Sequence, residues 1–114
     1  MPLLEIRTNL VLSESEQSAF SATLSSTAAQ LLSKPESYVM IIVNAGQHMR
    51  FGGSDAPTAL LSLKSLGLPP RTAEYSAVLC DLLAGELGLD PARIYIEFCD
   101  PPRSHWGWNR ATFG

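Results

Sequence analysis

The stretch that decides the fold is KPESYVMII at residues 34–42, which ends a helical pattern and begins a β-strand. A second stretch of the same kind, DPARIYIEF, lies at residues 90–98. In each copy a proline interrupts the helical periodicity, and a run rich in β-branched, aromatic and aliphatic residues follows it. The two copies therefore indicate a domain built from two similar halves of about 56 residues each.

A strand and a helix precede the decisive stretch in each half. The segments LEIRT at 4–8 and LSLKS at 61–65 alternate in the same way, as strands do. In the first helical segment Ser13 and Glu16 form a capping-box pattern. In the second, Thr72 is the expected N-cap and Gly88 the expected end. Apolar residues recur at helical spacing in both segments: Phe20, Leu24, Ala28, Leu31 and Leu32 in the first, and Tyr75, Val78, Leu79, Leu82, Leu83 and Leu87 in the second.

The order strand, helix, strand predicts the fold class. Such units favour parallel pairing with a right-handed crossover. We therefore predict a single α/β domain over residues 1–114, with halves at approximately 2–56 and 58–114. It should contain a four-stranded sheet, two helices on one face, and a short extra strand late in each half, at 50–52 and 106–108.

The strand at 39–43 is apolar on both of its faces, and this predicts an oligomer. Two helices can cover only one side of a four-stranded sheet, so the other side stays exposed. A further copy of the chain is the simplest cover for it. The sequence therefore predicts an obligate homo-oligomer.

The composition is that of a globular protein without an affinity for polyanions. The chain has 114 residues, of which 46% are hydrophobic and 17% charged, with a net charge of −3. The basic residues are scattered, which argues against nucleic acid or a membrane surface as a partner. We find no secretion signal in the sequence and expect a cytoplasmic protein, with leaderless export left open.

The cysteines and histidines do not suggest a metal or redox centre. Cys80 and Cys99 are the only cysteines, and His48 and His105 the only histidines. None of them stands at metal-ligand spacing or in a triad arrangement. We therefore expect no metal, no cofactor and no disulfide.

Pro2 is the strongest candidate for a catalytic residue in the sequence. Once Met1 is removed, Pro2 carries a secondary amine at the start of a strand. An α-amine titrates near pH ~8, so a modest perturbation makes it a neutral base at physiological pH. The terminus alone leaves two interpretations open, a catalytic base and an ordinary processed end.

The chain as a whole resembles the macrophage migration inhibitory factor family of the tautomerase superfamily. The resemblance covers nearly the full length. It rests on Met1-Pro2, Lys34-Pro35, MRFGGS at 49–54, SLKSLG at 62–67, RIYI at 93–96 and GWNRATF at 107–113. It implies a homotrimer with active sites at subunit interfaces and Pro2 as the catalytic base.

The resemblance also implies the roles of individual residues. The expected activity is cofactor-free keto–enol tautomerisation of 2-oxo acids of the phenylpyruvate type, or of dopachrome-like substrates. Lys34 and the backbone N–H of Leu66 would bind the substrate carboxylate. The remaining contacts would be Tyr95, from the neighbouring subunit, and an aromatic wall of Tyr38, Trp108 and Phe113.

Two positions depart from the family's common pattern. Glu97 replaces an Asn beside the pocket, and Trp106 replaces a small aliphatic residue. A carboxylate near Pro2 would favour the protonated amine and compete for Lys34, and the indole would narrow the mouth. The alternative function is therefore a cytokine-like module that binds a protein receptor and carries a vestigial pocket.

Overall fold

The centre of the fold is a mixed sheet of four strands in the order β2-β1-β3-β4. The computed structural model covers residues 1–114. The strands are β1 (Leu3–Thr8), β2 (Met40–Asn44), β3 (Ala59–Lys64) and β4 (Ile94–Cys99). β1 pairs with β2 and β3 with β4 in parallel, which confirms the predicted pairing inside each half. The halves meet through an antiparallel β1–β3 pair, which the sequence analysis did not anticipate.

Two helices and a short C-terminal hairpin complete the chain. They are α1 (Glu14–Leu32), α2 (Thr72–Leu87) and the strands β5 (Gly107–Trp108) and β6 (Ala111–Thr112). Short 3₁₀ turns at Glu36–Tyr38, Pro91–Arg93 and Arg103–His105 lead into β2, β4 and β5. In the first half the expected extra strand is reduced to a single bridge between Phe51 and Ser54. Neither helix is long and apolar enough to cross a bilayer.

The predicted start of α1 is confirmed, whereas that of α2 is wrong by one residue. Ser13 Oγ accepts from the Glu16 N–H at 3.1 Å, and the Glu16 carboxylate accepts from the Ser13 N–H at 2.9 Å. In α2 the N-cap is Arg71 and not Thr72, because the Arg71 carbonyl already accepts the first helical bond, from the Tyr75 N–H. Gly88 ends α2 with φ +67°, as predicted.

The core lies between the helices and one face of the sheet. Alternate residues of β1 and β3 point into it, and both helices contribute the stripe that their periodicity predicts. Leu31 is only partly buried, and the prediction is wrong at Val78, which is 41% exposed because it lies on the solvent side of α2. The apolar core consists of Leu4, Ile6, Phe20, Leu24, Ala28, Leu32, Ala59, Leu61, Leu63, Tyr75, Leu79, Leu83, Leu89 and Ile94.

The other face of the sheet is open, and no element of the chain covers it. Met40 and Ile42 on β2 are 60% and 37% exposed there. The predicted arrangement of both helices on one face is therefore confirmed. The open face is mixed in character, because Leu60 and Tyr95 also lie on it, whereas its middle row contains Glu5, Ser62 and Glu97 beside Ile42. We refer to this surface, made by alternate residues of the four strands, as the open face.

The capping box of α1 provides a test of the local energetics. Ser13→Ala removes the side-chain acceptor for the Glu16 N–H, so we expect the free energy of unfolding to fall by about 1 kcal/mol. Chemical denaturation followed by circular dichroism measures the change. The matched control is Ser18→Ala, on the exposed side of α1, which should stay within about 0.5 kcal/mol of the parent protein. Equal stabilities for the two variants would contradict the role of the cap.

Candidate active site

A cavity of about 350 Å³ opens at the N-terminal end of β1. Backbone hydrogen bonds join the N-terminus to the start of β2 and hold the two ends of the C-terminal hairpin together. The Met40 N–H donates to the Pro2 carbonyl at 3.0 Å, and the Phe113 N–H donates to the Trp106 carbonyl at 3.2 Å. The lining is mainly apolar and consists of Met1, Pro2, Leu3, Ser37, Tyr38, Val39, Met40, Trp106, Gly107, Trp108 and Phe113.

Three aromatic rings form a continuous wall of this cavity. The Tyr38 and Trp108 ring centroids are 6.0 Å apart in an edge arrangement, and Trp108 and Phe113 are stacked at 6.1 Å. Asn109 and Arg110, both at positive φ, form the tight turn that returns β6 alongside β5 and so brings Phe113 to Trp108. Such a wall suits a flat aromatic or conjugated ligand.

The terminal amine at this cavity has a perturbed acidity. Partial burial lowers the pKa of the Met1 α-amine, and the positive charges of Lys34 and Arg103 lower it further. Pro2, the next residue, has a fully buried side chain. Removal of Met1 would leave the amine on Pro2, which lines the same cavity. The site therefore favours a neutral amine, which is the state a general base requires.

Arg103 is a functional candidate that the sequence analysis missed. It lies in the turn Arg103–His105, and its Nε donates to the Phe113 carbonyl at 3.0 Å. The only signal in the sequence was its position just before the predicted extra strand at 106–108. The sequence does not show that the β5–β6 hairpin brings Phe113 back beside Arg103.

The cavity brings together most of the predicted site residues. Pro2, Tyr38, Trp106, Trp108 and Phe113 all line it. Trp106 occupies part of its wall, as expected of an indole that narrows the pocket. Lys34, which is half-buried, is close enough to influence the amine.

Leu66 lies at the same end of the sheet, just beyond β3. Lys64, the last residue of β3, is opposite Leu3, the first residue of β1. The Asp100 carboxylate accepts from the Gly67 and Leu68 N–H groups at 3.0 and 3.1 Å and so fixes this turn. The Leu66 N–H donates to no group of the chain. It remains available as a hydrogen-bond donor beside the start of β1.

Tyr95 lies at the opposite end of the sheet. It is opposite Leu60, which is in turn opposite Arg7 near the end of β1. At roughly 3.3 Å per residue this places it about 16 Å along the strand from Pro2. Tyr95 is 64% exposed, so within one chain it contacts solvent rather than the cavity.

Hydrogen bonds from one arginine, Arg93, hold the segment beside Tyr95 in place. Arg93 donates to the carbonyls of Phe51, Ser54, Ala56 and Pro57, and its guanidinium lies 5.1 Å from the Phe51 ring centroid. Phe51 in turn packs on Tyr95, with 4.4 Å between ring centroids. The phenol is therefore held on a rigid platform although it is exposed.

Glu97 also lies outside the cavity of its own chain. It is opposite Ser62, whose hydroxyl contacts the Glu97 carboxylate, and Ser62 is opposite Glu5 on β1. Two strand spacings of roughly 4.8 Å and about 10 Å along β1 separate it from Pro2. The expectation that Glu97 acts on the amine can therefore apply only across a subunit interface.

Comparisons with protein families, individual sequences and solved structures all match this chain to the same family over nearly its whole length. The profile of the family described as macrophage migration inhibitory factor matches residues 1–114. A macrophage migration inhibitory factor homolog from Brugia malayi is 45% identical, with 100% of each chain covered. Mouse macrophage migration inhibitory factor is 36% identical over 99% of each chain. The crystal structure of a homologue from Prochlorococcus marinus superposes with a TM-score of 0.90 at 39% identity, covering 98% of this chain and 99% of the other.

The acidity of the terminal amine can be tested directly. Lys34 lowers the amine's pKa because its charge disfavours a second positive charge nearby. Lys34→Met should therefore raise the pKa, so that the amine loses its proton at a higher pH than in the parent protein. The pH dependence of α-amine acylation, followed by peptide mass spectrometry, reports this change. Arg71→Met removes the same charge at the start of α2 and should leave the pKa of the amine unchanged. Identical titration curves for the parent protein and both variants would contradict the effect of Lys34 on the amine.

Proposed function

This chain belongs to the macrophage migration inhibitory factor family, and on that premise we propose that it is a cofactor-free keto–enol tautomerase of aromatic 2-oxo acids. The observation that carries the proposal is an aromatic cavity lined by Met1 and Pro2, at which burial and then the charges of Lys34 and Arg103 lower the pKa of the Met1 α-amine. A neutral amine removes and returns a proton without the help of another group. The reaction moves one proton and one double bond, so it needs no cofactor.

The proposed base is the Pro2 amine, exposed once Met1 is removed. The neutral amine takes a proton from the carbon next to the 2-oxo group, and the electron pair of that C–H bond forms the double bond of an enolate. The protonated amine then gives its proton to the enolate oxygen, which yields the enol. In the reverse direction the same amine takes the enol proton and returns it to carbon.

Lys34 serves this reaction in two ways. Its ammonium group binds the substrate carboxylate, and its charge keeps the nearby amine neutral. The free Leu66 N–H is a second donor at the same end of the sheet. The wall of Tyr38, Trp108 and Phe113 receives the substrate ring. Each role follows the family resemblance, and the contacts described above support it.

A homotrimer completes the proposed site. The open face exposes Met40 and Ile42, and Tyr95 is held rigidly at the end of the sheet far from Pro2. Both features are explained if a neighbouring copy covers the open face and supplies its Tyr95 to the cavity. Tyr95 would then donate a hydrogen bond to the substrate.

A second candidate function is cytokine-like signalling through a protein receptor. It is favoured by the name of the 45% identical Brugia malayi relative, a macrophage migration inhibitory factor homolog. The Pro2→Ala variant separates the two functions, because a signalling surface outside the cavity would keep its effect on cells when the tautomerase activity is lost.

The identity of the base is tested at Pro2. Pro2→Ala leaves a primary amine of different geometry, and an Ala inserted before Pro2 displaces the amine from the cavity. Both variants should lose at least about 100-fold in kcat for phenylpyruvate tautomerisation, the usual worth of a positioned base. Intact mass must show that Met1 has been removed from the parent protein. The control is Val11→Ala, which alters a side chain that is 89% exposed. Parent rates in both Pro2 variants would rule out this base.

The assembly is tested on the open face. We expect sedimentation equilibrium to give the mass of a trimer at micromolar concentration. Ile42→Asp places a charge on the open face and should weaken the trimer without altering the core. Val78→Asp is the matched control, because Val78 is 41% exposed on α2 and Ile42 is 37% exposed. A stable folded monomer of the parent chain would contradict the proposal.

A further inference from the structure

Arg103 has more binding capacity than the chain uses. Its Nε donates to the Phe113 carbonyl at 3.0 Å, and none of its other N–H groups donates to a protein atom. The one ion pair of the structure joins Arg7 and Glu5, so no carboxylate of the chain neutralises Arg103. The guanidinium is thus held by one edge beside the Phe113 end of the aromatic wall, with a planar pair of donors free.

Lys34 is the second cation near the terminal amine. It directly precedes the segment that carries Tyr38, and the wall runs from Tyr38 through Trp108 to Phe113. Lys34 also has no ion-pair partner. No acidic residue lines the cavity between them. Both cations nevertheless act on the same terminal amine, so both lie within Coulomb range of the base.

Two unpaired cations beside an apolar cavity repel each other and the protonated amine. A ligand with one negative group satisfies only one of them. A ligand with two negative groups, one at each end of a flat ring, satisfies both and lets the ring lie against the aromatic wall.

From this arrangement, and resting on the proposed tautomerase function, we infer that Arg103 is a specificity residue that binds a second anionic group of the substrate. The substrate class is then an aromatic 2-oxo acid with a further negative group on its ring. The 2-oxo acid carboxylate binds Lys34, and the ring lies along Tyr38, Trp108 and Phe113. The second anionic group accepts hydrogen bonds from the free edge of the Arg103 guanidinium.

A purely structural role for Arg103 makes a different prediction. If the residue only braces the C-terminus through the Phe113 carbonyl, then losing that bond should weaken every ligand equally. Arg103→Lys removes the Nε contact and keeps the charge, whereas Arg103→Met removes both. Comparing the two variants therefore separates charge recognition from bracing.

The kinetic test uses two substrates that differ in one group, 4-hydroxyphenylpyruvate and 4-carboxyphenylpyruvate. Arg103→Met should raise KM for the carboxy substrate about fivefold, the upper range for a partly exposed ion pair, whereas any change in kcat through the pKa of the amine should be the same for both substrates. The hydroxy substrate should change less than about twofold, and Arg103→Lys should keep most of the discrimination. Arg71→Met, which removes the same charge at the start of α2, should behave as the parent protein.

A binding test is independent of turnover. Calorimetry with the unreactive acids cinnamate and 4-carboxycinnamate should show that Arg103→Met weakens only the second, again about fivefold. Absence of turnover with both kinetic substrates would refute the proposed function, and the calorimetry would still decide the role of Arg103. Equal weakening of both acids, or no weakening of 4-carboxycinnamate, would overturn the inference.

Discussion

The structure depends on the fact that two helices cover only one face of a four-stranded sheet. On that face the alternate residues of β1 and β3, such as Leu4 and Leu61, are completely buried against α1 and α2. The opposite residues of the same strands form the open face. A chain of this size has no further element with which to cover it, because the segment after β4 folds into the hairpin beside Trp108. The open face is therefore a property of the chain length as much as of its sequence.

The sheet topology divides the candidate site residues between the two ends of the sheet. The amine, Lys34 and the aromatic wall lie where β1 begins, whereas Tyr95 lies where it ends. The central antiparallel pair causes this separation, because it reverses β3 and β4 relative to β1. Both ends are rigid, one through the hairpin and the other through the four carbonyl contacts of Arg93. This separation is the reason for the proposal that a neighbouring copy supplies Tyr95 to the cavity.

The electrostatics of the amine follow from which charges the fold places near it. Partial burial and then the charges of Lys34 and Arg103 disfavour its protonated form and lower its pKa. The carboxylate of Glu97 would act in the opposite sense, but in one chain it lies two strands away and contacts Ser62. Within one chain, therefore, the nearby charges that act on the amine are positive.

Local features of the fold and most residues of the cavity could be predicted from the sequence. The Ser13–Glu16 cap, the Gly88 stop and the parallel pairing inside each half depend on short-range patterns, and they are confirmed. The β1–β3 pairing and the position of Arg103 depend on contacts between distant segments, for which a single sequence has no signal. Thr72 was misassigned because a good capping residue can also stand at the first helical position. The family resemblance predicted Tyr95 and Glu97 as site residues, and both stay predictions; the register places each of them away from Pro2 within one chain.

Subunit mixing tests most directly the claim that each site needs two chains. Pro2→Ala and Tyr95→Phe proteins are unfolded together, refolded at equal concentration and assayed for phenylpyruvate tautomerisation. If Pro2 and Tyr95 act from different chains, random assembly recreates intact sites at about a quarter of the positions, and the mixture exceeds the mean activity of the two variants. Activity equal to that mean would contradict the account.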